Sequence, residues 1–296
     1  MLRRGTYNDK PRLPCVLGWE VVGQVIAAGS SVHETLRGKR VLALTRLGGY
    51  ARHAIARVDA AVQIDDTIDA SRALALALQG VTAYYMACHI APLRAADWVL
   101  IHAATEGVGS LLLQLAKNAG ARVIAKVGSE SKKALCLQWG ADCAINYRTE
   151  NYAQAARKIL GTQQLDAAYN CVGGSTFGQD KKLLGAGARL FLYGGAQLTR
   201  MPYGALSQLN FLRQMGGLLP VFWAMQSTSL IGVNMLRLLD ARPETVRHCL
   251  HAVIALHAAG QIRPHTAASF HHSELAHAHE ALESGQSSGK MTVFYE

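Results

Sequence analysis

Paired cysteines are absent. The six cysteines in this chain of 296 residues (Cys15, Cys88, Cys136, Cys143, Cys171 and Cys249) show no CxxC or other ligand spacing, which argues against a disulfide framework and a structural zinc knuckle. Acids are scarce: 20 Asp and Glu stand against 30 Lys and Arg, and the net charge is +10. Most of that excess falls before residue 58, where ten cations meet three acids. The cations stand singly or in pairs, without aromatic interleaving or a reader motif. That is the texture of a solvated face, and no nucleic-acid partner is expected. No charged-then-apolar leader follows Met1, so the expected location is cytoplasmic. No repeat or low-complexity tract interrupts the chain. Apolar residues, by contrast, make up 50% of it, enough to bury a large core in one long domain or two shorter ones.

One run, 215–236, carries no charge at all and is long enough to span a bilayer. Its Pro220, the pair Gly216 and Gly217, and the polar run Gln226, Ser227, Thr228 and Ser229 argue against a spanning helix. The residues read as a buried helix or loop followed by a core strand. A sharper reading is an apolar flap over a hydrophobic substrate or against a peripheral membrane face.

From Trp98 onward short apolar runs alternate with helical spacing. Strands are expected over 98–104, 123–127, 143–146, 167–172 and 189–193, with helices over 108–119, 132–139 and 152–160, the first two closed by Gly120 and Gly140. That alternation implies a parallel sheet wound by right-handed crossovers, an α/β fold. Before it, the Gly-punctuated stretches 21–27, 40–44 and 49–56 read as antiparallel strands of a β-rich domain. After Pro243 come a long helix to Ala259, a second over 273–283 and a closing strand over 291–295. The boundaries that follow are a discontinuous domain of 1–79 with 237–296, and a wound domain of 80–236.

The turn after the first wound strand reads AATEGVG over 103–109. A glycine turn between strand and helix lets backbone N–H groups and the helix dipole face a pyrophosphate. Aligned on GxGxxG, the glycine places hold Ala104, Glu106 and Gly109, and Gly107 with Val108 restores part of the close approach. Packing of helix on strand would ask for a glycine here too, and both readings stand on these residues. After the next strand the chain reads AKVGSESKK. Lys126, Ser129, Ser131, Lys132 and Lys133 could hold a 2′-phosphate, with Glu130 the only acid nearby. A Ser-capped, solvated helix start is the alternative.

In order along the chain, RRGTY, GWEVVGQV, LQGVTAYY, AATEGVGSLLLQLAK, GADCAINYR and SGKMTVFYE resemble the quinone oxidoreductase branch of the medium-chain dehydrogenase/reductases. The stretch 201–239 looks most like the vesicle amine transport protein-like subgroup. The resemblance implies a Rossmann domain binding NADPH and a GroES-like β-rich substrate domain made from both chain ends. It places Gly107 and Val108 at the pyrophosphate, and Gly128, Ser129 and Lys132 at the adenosine phosphate. Tyr147 would lie beside the adenine, and Gly194, Gly195 and Ala196 along the nicotinamide half. Tyr7 and Thr82 would lie near nicotinamide and substrate as catalytic residues, although a Tyr near a turn and a Thr at a helix start are often structural.

Zinc-dependent relatives carry a His in a GHE motif, where this chain has Trp19 between Gly18 and Glu20. Indole cannot ligate zinc, and the tail histidines lack ligand spacing, so no metal is expected. Family members have further strands before RRGTY; with Met1 in their place the substrate domain is expected to be N-terminally incomplete. Glu106 puts a carboxylate where a small residue usually faces the phosphates. The expected activity is zinc-independent hydride transfer from NADPH to a quinone or an α,β-unsaturated carbonyl, in a homodimer. An enoyl-thioester reductase and a non-catalytic NADPH-binding or interaction protein are the alternatives.

NADPH should bind more tightly than NADH. Lys132→Ala should remove much of the difference, about 1.5 to 3 kcal/mol for a charge-assisted hydrogen bond to phosphate. Fluorescence titrations giving equal affinities for the two cofactors would refute this.

Overall fold

A computed structural model describes residues 11–29, 31–197, 205–216, 220–284 and 288–295. The chain divides into two compact units. One comprises Met1–Tyr85, Glu106–Leu111 and Met235–Glu296, and the other Met86–Thr105 and Leu112–Asn234.

In the first unit β1 (Glu20–Gln24), β2 (Arg40–Leu44) and β3 (Ala61–Gln63) form an antiparallel sheet in the order β1-β2-β3. The apolar run Val41–Leu44 of β2 is buried, as a central strand requires. The strand expected over 49–56 is not there. Gly48, Gly49 and Tyr50 instead give their N–H groups to the carbonyls of Val16, Gly18 and Leu17. The two stretches approach so closely that a Cβ on Gly18 would lie 2.6 Å from Gly49 Cα. Glycine here serves close backbone contact, and the third strand forms only after the 3-10 turn Val58–Ala60.

A helical run extends over Ala70–Ile90. It opens with α1 (Ala70–Ala75), whose N-cap Asp69 accepts from Arg72 N at 3.0 Å. A wide turn, Leu76–Gly80, leads into α2 (Val81–Tyr84). Among the described residues this is the one helical run with the length and apolarity of a membrane span. Buried Ala73, Ala75, Leu76, Ala77, Val81 and Ala83 give it the pattern of a core helix. At Ala77, ψ of −111° leaves helical space. The interruption has a partner: Leu78 N–H donates to Glu20 Oε2 at 2.8 Å.

The C-terminal part of this unit contributes α9 (Met235–Ala241), α10 (Pro243–Ala258), β10 (Thr266–His271), α11 (Leu275–Ser284) and β11 (Lys290–Phe294), β10 and β11 pairing in parallel. Pro243 opens α10 at a position where its missing N–H costs nothing, and Val246, Cys249, Leu250 and Val253 bury one face. Lys290 reaches back to Glu20, each side chain about an eighth exposed (13% and 12%). Burial lowers the Lys290 pKa to about 8, and the Glu20 carboxylate is the counter-charge that opposes the cost.

The second unit is built on six parallel strands: β4 (Trp98–His102), β5 (Arg122–Val127), β6 (Cys143–Asn146), β7 (Leu165–Asn170), β8 (Leu184–Leu192) and β9 (Ser229–Gly232). Their order is β6-β5-β4-β7-β8-β9. Helix α3 (Gly107–Asn118) follows β4 in the chain. It is joined by α4 (Glu130–Gln138), α5 (Tyr152–Leu160), α6 (Ser175–Lys181), α7 (Ala205–Met215) and α8 (Pro220–Met225). The α/β architecture is as the alternation implies. Leu100, Ile124, Ile145, Ala168 and Leu190 from five strands pack with Ala156, Leu160, Phe177 and Trp223 into one core.

Among the described residues of the uncharged stretch 215–236 are α8 and β9, and the expected core strand is corrected: β9 lies at the end of the sheet order, an edge strand with Ser229, Leu230 and Gly232 exposed. Val221, Phe222 and Met225 of α8 also face outward.

Glu20→Ala should destabilise the protein by about 3 to 5 kcal/mol, because it leaves a buried ammonium and a backbone N–H without their shared acceptor. Glu20→Gln, which keeps an acceptor for Leu78, should cost less. Urea unfolding that ranks the two variants the other way would refute the assignment.

Candidate functional site

In the second unit the chemistry gathers where β4, β5 and β7 end. Strands rich in Val, Ile, Leu and Ala finish in His102, Lys126 with Val127, and Asn170. All three polar side chains turn inward, His102 and Asn170 to the fully buried Asp180 of α6 and Lys126 to His102. His102 Nε2 lies 2.9 Å from Asp180 Oδ2. Tyr152 donates its hydroxyl to Oδ1 at 2.8 Å, and Asn170 Nδ2 donates to Oδ2 at 2.5 Å. Lys126 Nζ stands 3.2 Å from His102 Nδ1 and 3.8 Å from the centre of the Tyr152 ring.

Burial dominates the electrostatics. It lowers the Lys126 pKa to about 8 against the attraction of Asp180 and Cys171. The His102 pKa is lowered too, chiefly by burial, with Asp180 pulling the other way. Burial and the Asp180 charge raise that of Tyr152.

The network reaches the backbone of loop 171–174. Asn170 Oδ1 accepts from Val172 N at 2.8 Å and Gly173 N at 2.9 Å. Gly173 and Gly174 follow at φ of +70° and +56°, values that only glycine takes without strain. Gly194 lies against the same loop. A Cβ there would meet Cys171 O at 2.6 Å. Gly194 and Ala196 are exposed and Gly195 is half-buried. Ala196 N–H donates to Cys171 O at 3.1 Å, which ties the two stretches together, and the Phe211 ring and the Gln197 carboxamide pack against Gly173 and Gly174.

At the tip of β5, Gly128 faces Tyr147: a Cβ on Gly128 would lie 2.9 Å from the Tyr147 hydroxyl. Ser129 caps α4, its Oγ accepting from Lys132 N at 3.3 Å, and contacts Ser131 Oγ at 3.0 Å. Lys133 pairs with Glu130 at 3.8 Å. Of the cations considered for a phosphate, Lys126 is directed inward at 5% exposure, while Lys132 is half-exposed at the start of α4.

In the first unit Gly107 opens α3 beneath Gln79: a Cβ on Gly107 would fall 2.1 Å from the Gln79 carboxamide. Gln79 Oε1 is buried with no hydrogen-bond partner. Val108 is half-buried beside Gly107. Glu106 forms a parallel backbone bridge with Gly289, and its charge acts on His265, raising a pKa that burial lowers more strongly. The carboxylate therefore has a titratable neighbour of its own. Thr82 is buried, and its hydroxyl donates to Leu78 O at 2.5 Å within the helix. Tyr7 lies outside the described residues. Among the described residues no group of three or more His, Cys, Asp or Glu is placed to hold a metal.

His102, Asp180, Asn170, Tyr152 and Gln79 were not singled out from the sequence. The signal for two of them was a polar residue closing an apolar strand, WVLIH and LDAAYN.

Two family models match, Alcohol dehydrogenase GroES-like domain over residues 1–90 and Zinc-binding dehydrogenase over 107–238. The quinone oxidoreductase of Sus scrofa is 33% identical over 194 residues, 65% of this chain and 59% of the relative. The match thus spans about three-fifths of the length of that curated relative. The synaptic vesicle membrane protein VAT-1 homolog of Danio rerio is 27% identical across 100% of this chain and 61% of its own. Among solved structures, Escherichia coli quinone oxidoreductase complexed with NADPH superposes with a TM-score of 0.85 at 27% identity, covering 99% of this chain and 86% of that one.

Gly194→Ala should destabilise the protein by about 1 to 3 kcal/mol, since the new methyl meets a backbone carbonyl that cannot swing aside. Urea unfolding with an unchanged midpoint would show that the loop yields.

Proposed function

From the premise that the chain belongs to the medium-chain dehydrogenase/reductase family, we propose that it is an NADPH-dependent oxidoreductase acting on a quinone or an α,β-unsaturated carbonyl without zinc. The observation that carries this reading is the glycine loop after β7 that Asn170 holds by two backbone N–H groups, in a fold shared with an enzyme whose structure is complexed with NADPH.

The residues present fit that cofactor. Gln79 Oε1 is a buried acceptor still lacking a donor, and Ser129 with Lys132 at the start of α4 offers donors suited to a phosphate. Gly107 and Val108 are assigned to the pyrophosphate. Gly128, Ser129, Lys132 and Tyr147 are assigned to the adenosine end, where Lys132 at the start of α4 supplies charge to a 2′-phosphate. Gly194, Gly195 and Ala196 border the nicotinamide half. Bound there, NADPH would supply the hydride.

Zinc does not fit, because Trp19 stands where the metal-dependent relatives place a His ligand. Charge developing on the substrate oxygen then has to be met by hydrogen-bond donors, Tyr7 or backbone N–H groups, in the manner of an oxyanion hole. Water can protonate the product enolate, so no general acid is required of the protein. Thr82, whose hydroxyl is engaged by Leu78 O, shapes the helix under this reading unless the bond exchanges on binding. The exposed edge strand β9 is where we place the seam of a homodimer, since unpaired strand edges invite pairing.

A quinone, a short enone and an enoyl-CoA assayed side by side with NADPH should show turnover of the quinone or the enone. Turnover of enoyl-CoA alone would favour the enoyl-thioester reductase that the basic first segment allows. NADPH binding without consumption of it by any of the three would favour a non-catalytic binder, the reading that Glu106 motivates.

A further inference from the structure

Lys126 is the penultimate residue of β5, a strand otherwise written in Val, Ile and Ala after its first residue. Its ammonium is buried at 5% exposure, and groups from every neighbouring element face it. His102 Nδ1 comes from β4 at 3.2 Å, the Tyr152 ring from α5 at 3.8 Å, and the Tyr147 ring from beyond β6 at 5.2 Å. The charge of Asp180 on α6 and the Cys171 thiol beyond β7 act on it as well.

An ammonium has hydrogens to give and no lone pair. With Lys126 charged, the contact with His102 therefore runs one way: Nζ donates and Nδ1 accepts. The imidazole then carries its proton on Nε2 and donates it to Asp180, 2.9 Å away. Asn170 donates to the same carboxylate through Nδ2, which turns its amide oxygen to Val172 N and Gly173 N. Donors thus succeed one another from the buried ammonium through His102 onto one carboxylate, and that carboxylate also accepts from the amide that grips the glycine loop.

We propose that Lys126 is a positioning residue for loop 171–174, its charge strengthening the His102 donation to Asp180 and thereby, through Asn170, holding the backbone that borders the nicotinamide half of the cofactor. The consequence for NADPH rests on the function proposed above; the relay itself does not. A neutral amine still donates to Nδ1 but without its charge, so loss of the proton weakens that hydrogen bond and polarises less the Nε2–H that His102 gives to Asp180. The His102 donation to Asp180 weakens with it, and the hold of the network on Asn170 loosens. Because burial brings the Lys126 pKa to about 8, the loop should be held firmly below that pH and less firmly above it.

The test is amide hydrogen exchange of the ligand-free protein from about pH 6.5 to about pH 9.5, corrected for intrinsic exchange and followed by NMR, with NADPH affinity measured at both ends. Protection at Val172 and Gly173 should fall roughly tenfold as pH rises through the transition, the worth of one charge-assisted hydrogen bond, while Ala168 within β7 stays level. In Lys126→Met the two loop amides should show the weaker protection at every pH, with NADPH bound several-fold less tightly than by the parent at low pH. Loop protection that is level across the titration in the parent overturns the proposal, and does so even if the Met variant fails to fold. Loop amides that respond while NADPH binds equally at both pH values also overturn it. A responding loop in a protein that binds no NADPH at either pH leaves the relay standing and overturns the cofactor reading.

Discussion

A single buried carboxylate, Asp180, holds the tips of the parallel sheet together. A charge without solvent is tolerable only when its lone pairs are filled, and here three side chains from β4, α5 and β7 fill them: His102, Tyr152 and Asn170. Each is therefore held to one rotamer, and the least replaceable consequence is at Asn170. Its Nδ2 is committed to Asp180, which leaves Oδ1 to take the N–H groups of Val172 and Gly173. The glycine turn after β7 is thus shaped by a charge buried behind it.

The first unit solves a similar problem with another carboxylate. Glu20 accepts the N–H that the kink at Ala77 leaves over, and pairs with Lys290 of β11. An interrupted helix would otherwise carry a buried, unpaired donor at Leu78. One side chain of β1 thereby joins segments from both ends of the chain. Gln79 and Thr82 follow the kink in the same unit. The first of these overlies Gly107, and the second returns its hydroxyl to the Leu78 carbonyl.

Two polar devices in one chain also show how apolar strands carry function. In β4 and β5 the buried residues other than His102 and Lys126 are Val, Leu, Ile or Ala, and the cost of those two polar side chains is met by neighbours across the tips. Lys126 is the extreme case. It has a ring face and an imidazole nitrogen for company, and its charge survives at neutral pH only with help from Asp180.

Much of this protein could be read along the chain. Alternating apolar runs and helical spacing from Trp98 onward determined the parallel sheet, because strands buried on both faces need nearly continuous Val, Ile, Leu and Ala. The strand at Arg40–Leu44 and the helix at Tyr152–Leu160 fall on the residues expected. Gly107 was legible in its strand–turn–helix place, whereas Gly128 and Gly194 were marked through the family resemblance; of the three, Gly194 is the one whose Cβ would meet backbone, the Cys171 carbonyl. The tertiary structure alone decided the rest. Residues 49–56 carry a strand-like pattern but give up their ladder to a close glycine contact with Val16, Leu17 and Gly18. β9 is an edge and not a core strand because its place in the sheet depends on order in space, which periodicity does not encode. Asp180 reads as one more charge on a short helix. What makes it the anchor of the site is the convergence of residues 78 and 28 positions away along the chain, His102 and Tyr152, and only folding brings their donors to one carboxylate.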